Sequence, residues 1–170
     1  MVADVLAPRL ITPSVEFEAS FLAGERERCE LTGDPVGWLE VAARDFAAFA
    51  GSEGGVRTLW EVPSSLYWYV AGGSYIGTLV IRHRLTPWLA EAGGHIGYHV
   101  VPSFRRQGHA TSMLAAGLEK CRELGISRVL LSCAIENDAS RRVILANGGV
   151  PDGKGRGEDR FIIDLAGEGR

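Results

Sequence analysis

The sequence predicts one mixed α/β domain, and three observations lead to this fold class. The 170 residues suit a domain with its own core, and the hydrophobic fraction of 46% is ordinary for a globular protein. The middle of the chain carries β-rich runs separated by turn glycines. The second half alternates apolar strand-like runs with segments of helical periodicity, and no repeat or linker interrupts it. Residues 1–170 are therefore expected to form a single domain.

Helices are expected in the N-terminal part, after a short first strand at Leu10-Ile11. Thr12 is a suitable N-cap for the first helix, with Pro13 at the first helical position. Asp34-Pro35 starts a second helix in the same way. The apolar stripe of this second helix consists of Trp38, Leu39, Val41, Ala42, Phe46 and Phe49.

The middle of the chain predicts an antiparallel meander. The segment SLYWYVAGGSYIGTLVIRHRL contains two β-rich runs around Gly72-Gly73, which indicates a β-hairpin. A third strand, HIGYHVV, runs from His95 to Val101 and is stopped by Pro102. A helix is expected next, from about residue 107 to 124, because its apolar residues recur three or four apart.

The C-terminal part predicts strand, helix and strand. SRVLLSCAI is almost wholly apolar, as is typical of a central strand. NDASRRVILANGG predicts a short helix capped by Asn137 or Asp138. PDGKGRGEDR is interpreted as a solvated turn, and EDRFIIDL as the last strand.

Composition excludes several classes of protein. The net charge of −3 argues against general nucleic-acid binding, which requires a basic surface. No apolar run approaches the length of a membrane span, and MVADVLAPRLITP lacks the pattern of a signal peptide. The three cysteines have no metal-binding spacing and suggest no disulfide framework. We therefore expect a cytoplasmic protein with reduced thiols and no metal.

The turn PSFRRQGHATSML joins a strand to a helix and has the features of an anion site. The first turn of a helix has unsatisfied N–H donors and the positive end of the helix dipole. Gly108 allows close approach of the backbone, and Arg105 and Arg106 add charge. The alternative is a plain turn with exposed arginines. The two common phosphate motifs, GxxxxGK[ST] and GxGxxG, do not occur.

The context of this turn resembles the GNAT superfamily of N-acetyltransferases. Val100-Val101-Pro102, the stretch Arg105 to Ala110 and Asn137 match that superfamily's V-x-P, [QR]-x-x-G-x-[GA] and asparagine at the family spacing. GGHIGY, residues 93–98, fits a narrower bacterial-type group. The resemblance covers about residues 60–150. It implies an acyl-CoA N-acyltransferase fold: antiparallel N-terminal strands, then two splayed parallel central strands flanked by helices.

The resemblance also implies how acetyl-CoA would bind, between the strands at 95–101 and 128–135. Backbone groups of Tyr98, His99 and Val100 would pair with the pantetheine arm like an added strand. Asn137 would contact the same arm. The pyrophosphate would be bound by the backbone amides of Arg105, Arg106, Gln107, Gly108, His109 and Ala110.

The reaction implied is direct attack of an amine on the thioester, with a base for the ammonium proton and an acid near the leaving thiolate. Many members carry a tyrosine acid seven residues after the asparagine, where this chain has Ile144. Ser140 resembles the serine used in another branch and is proposed as the acid. The alternative is that Ser140 only bonds the helix backbone.

The base is left open among several groups. His95 ranks first because it begins a strand beside the cleft and because histidine has an unperturbed pKa near neutral pH. His83 and Glu136 are further candidates, and in this superfamily a water relay also serves. His95 has the alternative of a purely structural role.

The function expected is transfer of the acetyl group of acetyl-CoA to a primary amine of a small molecule, an amino acid or a peptide. The alternative is an acyl-CoA-binding sensor with little or no catalysis, to which the missing tyrosine lends weight. A third hypothesis is another donor such as succinyl-CoA, favoured by an arginine such as Arg82 in the cleft. No nucleic-acid or membrane partner is expected, and a homodimer is one assembly left open.

Overall fold

The computed structural model describes residues 7–167. The first six residues, which belong to the segment in which the sequence shows no signal-peptide pattern, lie outside this range. Its helices are α1 (Glu18–Thr32), α2 (Gly37–Arg44), α3 (Phe46–Glu53), α4 (Pro87–Glu91), α5 (His109–Glu123) and α6 (Asp138–Ala146). Its strands are β1 (Arg9–Ile11), β2 (Val56–Leu59), β3 (Val62–Ala71), β4 (Ser74–Arg82), β5 (Ile96–Val100), β6 (Arg128–Ala134), β7 (Val150–Gly155) and β8 (Glu158–Asp164). Short 3₁₀ helices occupy Val15–Phe17 and Pro102–Phe104.

The strands form two antiparallel sheets, which share a core and are joined through their backbones at His95. The first has the order β1-β3-β4-β5, with β2 also paired to β3, and the second has the order β6-β8-β7. The sheets meet where the His95 amide donates to the Leu130 carbonyl at 2.8 Å. Beyond this contact β5 and β6 form no ladder. The mixed α/β acyltransferase architecture expected from the sequence is confirmed.

The two faces of the first sheet carry separate cores. On one face, Leu79 and Ile81 pack with Met113 of α5. On the other face, Trp68 and Tyr75 pack with aromatic residues of the N-terminal helices. Each fully buried large side chain contributes about 1.5–3 kcal/mol. The first core also contains Ile96 and Val100 and thereby fixes the position of β5.

The N-terminal helices begin and break at other residues than expected. Ser14, not Thr12, caps the 3₁₀ turn by accepting a hydrogen bond from the Glu16 amide, and α1 begins only at Glu18. The stripe expected in one helix is divided between α2 and α3 by Asp45. The Asp45 carboxylate accepts from the Ala48 amide, which starts a new helix.

Three further elements were not predicted: β2, α4 and β7. PDGKGRGEDR is not a plain turn, because β7 occupies its first part and forms a hairpin with β8. Most residues of β7 are exposed, so the strand lacks the alternating apolar pattern that sequence analysis needs. No helix among residues 7–167 is long and apolar enough to cross a membrane.

A buried carboxylate ties α1 to the first sheet. Glu25 is 3% exposed and accepts hydrogen bonds from Arg28 (2.7 Å), Tyr75 (2.8 Å) and His99 (2.6 Å). Burial alone would raise the pKa of Glu25, but these bonds and the neighbouring His99 charge lower it from 4.5 to about 2. Ionised Glu25 therefore stabilises the fold above pH 4.5, and this contribution is lost as the pH falls towards 2.

Replacing this carboxylate by an amide should be costly near neutral pH. We expect Glu25→Gln to lower the free energy of unfolding by about 3 kcal/mol at pH 7, the equivalent of the lowered pKa. The deficit should disappear as the pH falls from 4.5 to 2, because the wild-type carboxyl is then also neutral. Urea unfolding measures both effects. Exposed Glu30 on the same helix is the matched control, and Glu30→Gln should change stability by less than about 0.5 kcal/mol.

Candidate active site

A cavity of about 320 Å³ opens where β5 and β6 separate. Its polar lining residues come from β4, β5, β6, β8 and the start of α6: Arg82, Tyr98, Ser132, Asn137, Ser140 and Glu158. The strands touch just before it because position 94 is a glycine. A Cβ on Gly94 would lie 2.3 Å from the Leu130 carbonyl oxygen, so only glycine allows this contact.

The anion turn predicted from the sequence lies at the end of β5. Arg106 and Gly108 adopt left-handed φ values of 60° and 81°, and α5 begins at once with His109. No side chain caps this helix. Its first amides therefore keep their hydrogen-bonding capacity for a ligand.

Two side chains of the turn brace it from within. Arg105 donates through Nε to the Val100 carbonyl at 3.1 Å, and Gln107 donates to the Ser103 carbonyl at 3.2 Å. Part of the hydrogen-bonding capacity of Arg105 is thus used within the protein. The Arg105 amide is used in the same way, because it donates to the Pro102 carbonyl at 3.1 Å.

The β5 segment predicted to bind the pantetheine arm has one paired edge. Tyr98, His99 and Val100 pair with Leu79, Thr78 and Gly77 of β4. The edge towards β6 carries no ladder, which leaves room for an extended ligand chain.

Ser140 faces the cavity and is linked to the opposite strand. Its Oγ shares a hydrogen bond of 2.8 Å with the Tyr98 hydroxyl, while its backbone amide donates to the Asn137 side chain at 3.1 Å. Asn137 is thus the residue that caps α6, and the Ser140 hydroxyl points across the cavity. Burial raises the pKa of Tyr98, so its phenol stays protonated near neutral pH. Ile144 is fully buried in the core.

The candidate bases from the sequence lie elsewhere. His95 Nδ1 accepts the Leu130 amide at 2.9 Å, and burial with the nearby Arg82 charge lowers the pKa of the ring. This ring helps to join the two sheets. His83 shares a hydrogen bond of 2.8 Å with Ser65, and Glu136 is exposed. None of the three lines the cavity described above.

Sequence analysis did not single out Glu158, the first residue of β8. Antiparallel pairing sets it opposite Ala134, at the end of β6. Its Oε2 accepts hydrogen bonds from the Ser132 hydroxyl and from the Gly93 amide, the latter at 3.3 Å. It is the one carboxylate among the described residues that line this cavity. Only the strand register, which joins residues 24 positions apart along the chain, reveals its place.

Two other features of the described residues bear on the chemistry. No group of three or more His, Cys, Asp or Glu side chains in residues 7–167 is arranged to hold a metal ion. A second cavity, of about 310 Å³, lies between α5 and β8, and contains none of the site residues predicted from the sequence.

Comparisons with known proteins bear on the fold and the family. Comparison with curated proteins gives no match. Among solved structures, RimJ of Mycobacterium smegmatis in complex with CoA-disulfide is 24% identical, with a TM-score of 0.52 over 63% of this chain and 56% of that one. RimL, a ribosomal L7/L12 alpha-N-protein acetyltransferase, is 14% identical, with a TM-score of 0.62 over 93% and 90%.

A third solved structure shares the fold at still lower identity. MccE, a microcin C7 self-immunity acetyltransferase in complex with acetyl-CoA and AMP, is 10% identical, with a TM-score of 0.60 over 93% and 92%. The profile of the Acetyltransferase (GNAT) family matches residues 36–148, well over half of the sequence. The chain therefore belongs to the GNAT family of acetyltransferases.

Proposed function

We propose that this chain transfers the acetyl group of acetyl-CoA to a primary amine in the cavity between β5 and β6. The observation that carries the proposal is the convergence of three polar groups on one cavity. Tyr98, Ser140 and Glu158 come from β5, α6 and β8 and all line it. The uncapped start of α5 follows β5 directly along the chain, through one short turn.

The proposed binding mode follows from the backbone. The amides from Arg106 to Ala110 would hold the pyrophosphate, because the helix start offers donors and positive potential. The Arg105 amide, included in the expectation from the sequence, already donates to the Pro102 carbonyl at 3.1 Å. Tyr98, His99 and Val100 would pair with the pantetheine arm along the unpaired edge of β5, and Asn137 would contact the same arm. The cosubstrate supplies the thioester that the amine attacks.

Proton transfer is assigned to two side chains of the cavity. Glu158 would take the proton that the attacking ammonium must lose. Ser140 would donate a proton to the leaving thiolate and regain one through Tyr98, its hydrogen-bond partner. We place Glu158 ahead of His95 as the base, because one His95 ring nitrogen is bonded to Leu130 and the ring is not part of the cavity lining.

The acceptor class to test first is the amino-terminus of a peptide. RimL, which shares the fold, is named as an alpha-N-protein acetyltransferase. Amino acids and small amines remain in the proposal, since the loops around an acceptor pocket vary on a shared scaffold.

The test is release of free coenzyme A thiol from acetyl-CoA in the presence of peptides, amino acids and small amines. We expect release that depends on an unblocked amine, with the same peptides carrying a blocked amino-terminus as the matched control. Tight acetyl-CoA binding without turnover on any amine would contradict transferase activity and favour a sensor.

The turn before α5 allows a separate test of coenzyme A binding. Gly108→Val should raise the coenzyme A dissociation constant about 5- to 30-fold, because a side chain in the left-handed region costs about 1–2 kcal/mol. A Cβ at this position would meet open space, so the penalty arises from the backbone alone. Calorimetric titration measures it.

The matched control removes charge instead of backbone freedom. Replacing both Arg105 and Arg106 by alanine should weaken binding only a few-fold, since the amides hold the anion. Gly108→Asn should also raise the dissociation constant less than Gly108→Val does, because asparagine tolerates a left-handed backbone better. A larger loss from the arginine pair than from Gly108→Val would show that the side chains dominate.

A further inference from the structure

Arg82, the last residue of β4, is a buried cation in the wall of the same cavity. Only 8% of the surface of Arg82 is exposed. One guanidinium nitrogen, Nη1, donates to the carbonyls of Gly93 and Gly94 at 3.0 and 2.9 Å. These two bonds use a single corner of the guanidinium and hold it in a fixed orientation.

Trp60 covers one face of this guanidinium. The Arg82 Cζ atom lies 4.2 Å from the centre of the Trp60 ring, within the range of a cation–π contact. Trp60 and Glu61 form the tight turn between β2 and β3, with left-handed φ values of 51° and 63°. Positive φ at both central residues is typical of tight two-residue hairpin turns, and this turn fixes the position of Trp60 beside the end of β4.

The charge of Arg82 has no counter-ion within ion-pair distance among residues 7–167. Its Nε is buried without any hydrogen-bond partner. Burial lowers the pKa of Arg82, and the nearby Glu158 charge offsets only part of this effect. Burying a cation without a counter-ion is unfavourable in free energy, so an anion that pairs with this guanidinium would be bound favourably.

The Nη2 side of the guanidinium is kept clear by a glycine. A Cβ on Gly97 would lie 3.4 Å from Arg82 Nη2, in van der Waals contact, so a longer side chain here would cover this nitrogen. Gly97 and Arg82 both line the cavity. Nη2 has no hydrogen-bond partner among residues 7–167 and adjoins the space in which the reaction is proposed to occur.

We propose that Arg82, held under Trp60, binds a carboxylate of the molecule that reacts in this cavity. The inference rests on the proposed transferase function and narrows its substrate class. A planar carboxylate matches a guanidinium, and Nη2 supplies N–H donors towards it. The carboxylate has two sources: the acceptor amine, or an acyl group with a terminal carboxylate such as succinyl.

The arrangement favours the acceptor as the source. Arg82 and Glu158 are opposite charges in one cavity. A molecule with both an ammonium and a carboxylate would complement them, with the ammonium at Glu158 and the carboxylate at Arg82. Amino acids and peptides with an acidic side chain near the amino-terminus belong to this class.

The experiment compares amines that differ only in this group. One arm uses acetyl-CoA with paired acceptors, each a carboxylate and its carboxamide: amino acids against their amides, and peptides with Asp against Asn at the second position. The other arm uses succinyl-CoA against acetyl-CoA with one acceptor. We expect at least one carboxylate acceptor to exceed its carboxamide about 30-fold in kcat/KM. A succinyl-CoA preference of that size would assign the carboxylate to the acyl group.

Variants assign the preference to Arg82. Arg82→Gln should reduce it to less than threefold, whereas Arg84→Gln, an exposed arginine two residues on, should leave it intact. Turnover without any carboxylate preference in either arm would overturn the inference and leave the transferase function standing. Survival of the preference in folded Arg82→Gln would also overturn it. If Arg82→Gln fails to fold, the comparison of carboxylate and carboxamide acceptors with the wild-type enzyme decides the question alone.

A binding measurement separates this inference from the transferase proposal. Sodium succinate, against sodium chloride at equal ionic strength, should raise the Tm of the wild type and of Arg84→Gln, and not of Arg82→Gln. If no amine is acetylated at all, the transferase proposal fails. The succinate response then decides whether Arg82 binds a carboxylate, and no response would refute it.

Discussion

Glu158→Gln is expected to lower kcat/KM for the amine about 1000-fold at pH 7, within the range that general base catalysis contributes. The amide still accepts hydrogen bonds from Ser132 and Gly93, so the site should keep its shape. It cannot take a proton from the ammonium. Only the small neutral fraction of the amine would then react, and the variant's rate should rise about tenfold per pH unit below the pKa of the amine.

The control for this variant lies at the other end of the same strand. Asp164→Asn changes an exposed carboxylate outside the cavity and should leave kcat/KM within about twofold of the wild type. Steady-state rates from pH 6 to 9 test both variants. A Glu158→Gln enzyme with wild-type rate and pH profile would remove Glu158 from the mechanism and return His95 or a water relay to first place.

Ser140→Ala is expected to lower kcat about 100-fold, with little change in the KM for acetyl-CoA. The hydroxyl is the group proposed to protonate the leaving thiolate, a role that matters in the transition state and not in binding. Since Asn137 provides the helix cap, loss of this side chain should leave α6 intact. Single-turnover rates at saturating acetyl-CoA measure the effect on chemistry directly.

Tyr98→Phe is the matched comparison for the serine variant. It removes the hydrogen-bond partner of Ser140 and keeps the aromatic packing, so we expect a smaller loss of kcat. The ranking of the two losses shows which hydroxyl is nearer the sulfur. If Ser140→Ala turns over at the wild-type rate, the serine is only part of the cavity wall.

Local sequence signals predicted the parts of the site that depend on neighbouring residues. The turn from Pro102 to Ala110 and the Asn137 cap are short-range features, because helix starts and stops are set by nearby side chains. The hairpin at Gly72-Gly73 is predicted correctly for the same reason. Whether the turn binds a pyrophosphate stays a prediction.

The groups that depend on strand register could not be predicted in this way. Glu158 reaches the cavity only because β8 pairs with β6, and no pattern in EDRFIIDL marks one acidic residue above the next. Arg82 was noted as a candidate, but its orientation depends on the turn at Gly93-Gly94 and on Trp60. The role of His95 in joining the sheets depends likewise on a contact with Leu130.

Ile144 stands where many members of this superfamily have a tyrosine, yet the cavity still contains a hydroxyl group from the same helix. A tyrosine acid seven residues after Asn137 is common in this superfamily, but here the side chain at that position is fully buried in the core. Ser140, one turn earlier on the same helix, faces the cavity instead. The candidate acid of this chain therefore lies on the same helix, α6, one turn before the position of the usual tyrosine.

The most direct test of the account is a crystal structure with bound coenzyme A. We predict that its pyrophosphate lies on the backbone amides from Arg106 to Ala110, and that its arm pairs with β5. Its sulfur should lie in the cavity between Ser140 and Glu158. Coenzyme A bound outside the space between β5 and β6, or with its sulfur turned away from these two residues, would contradict the proposed site.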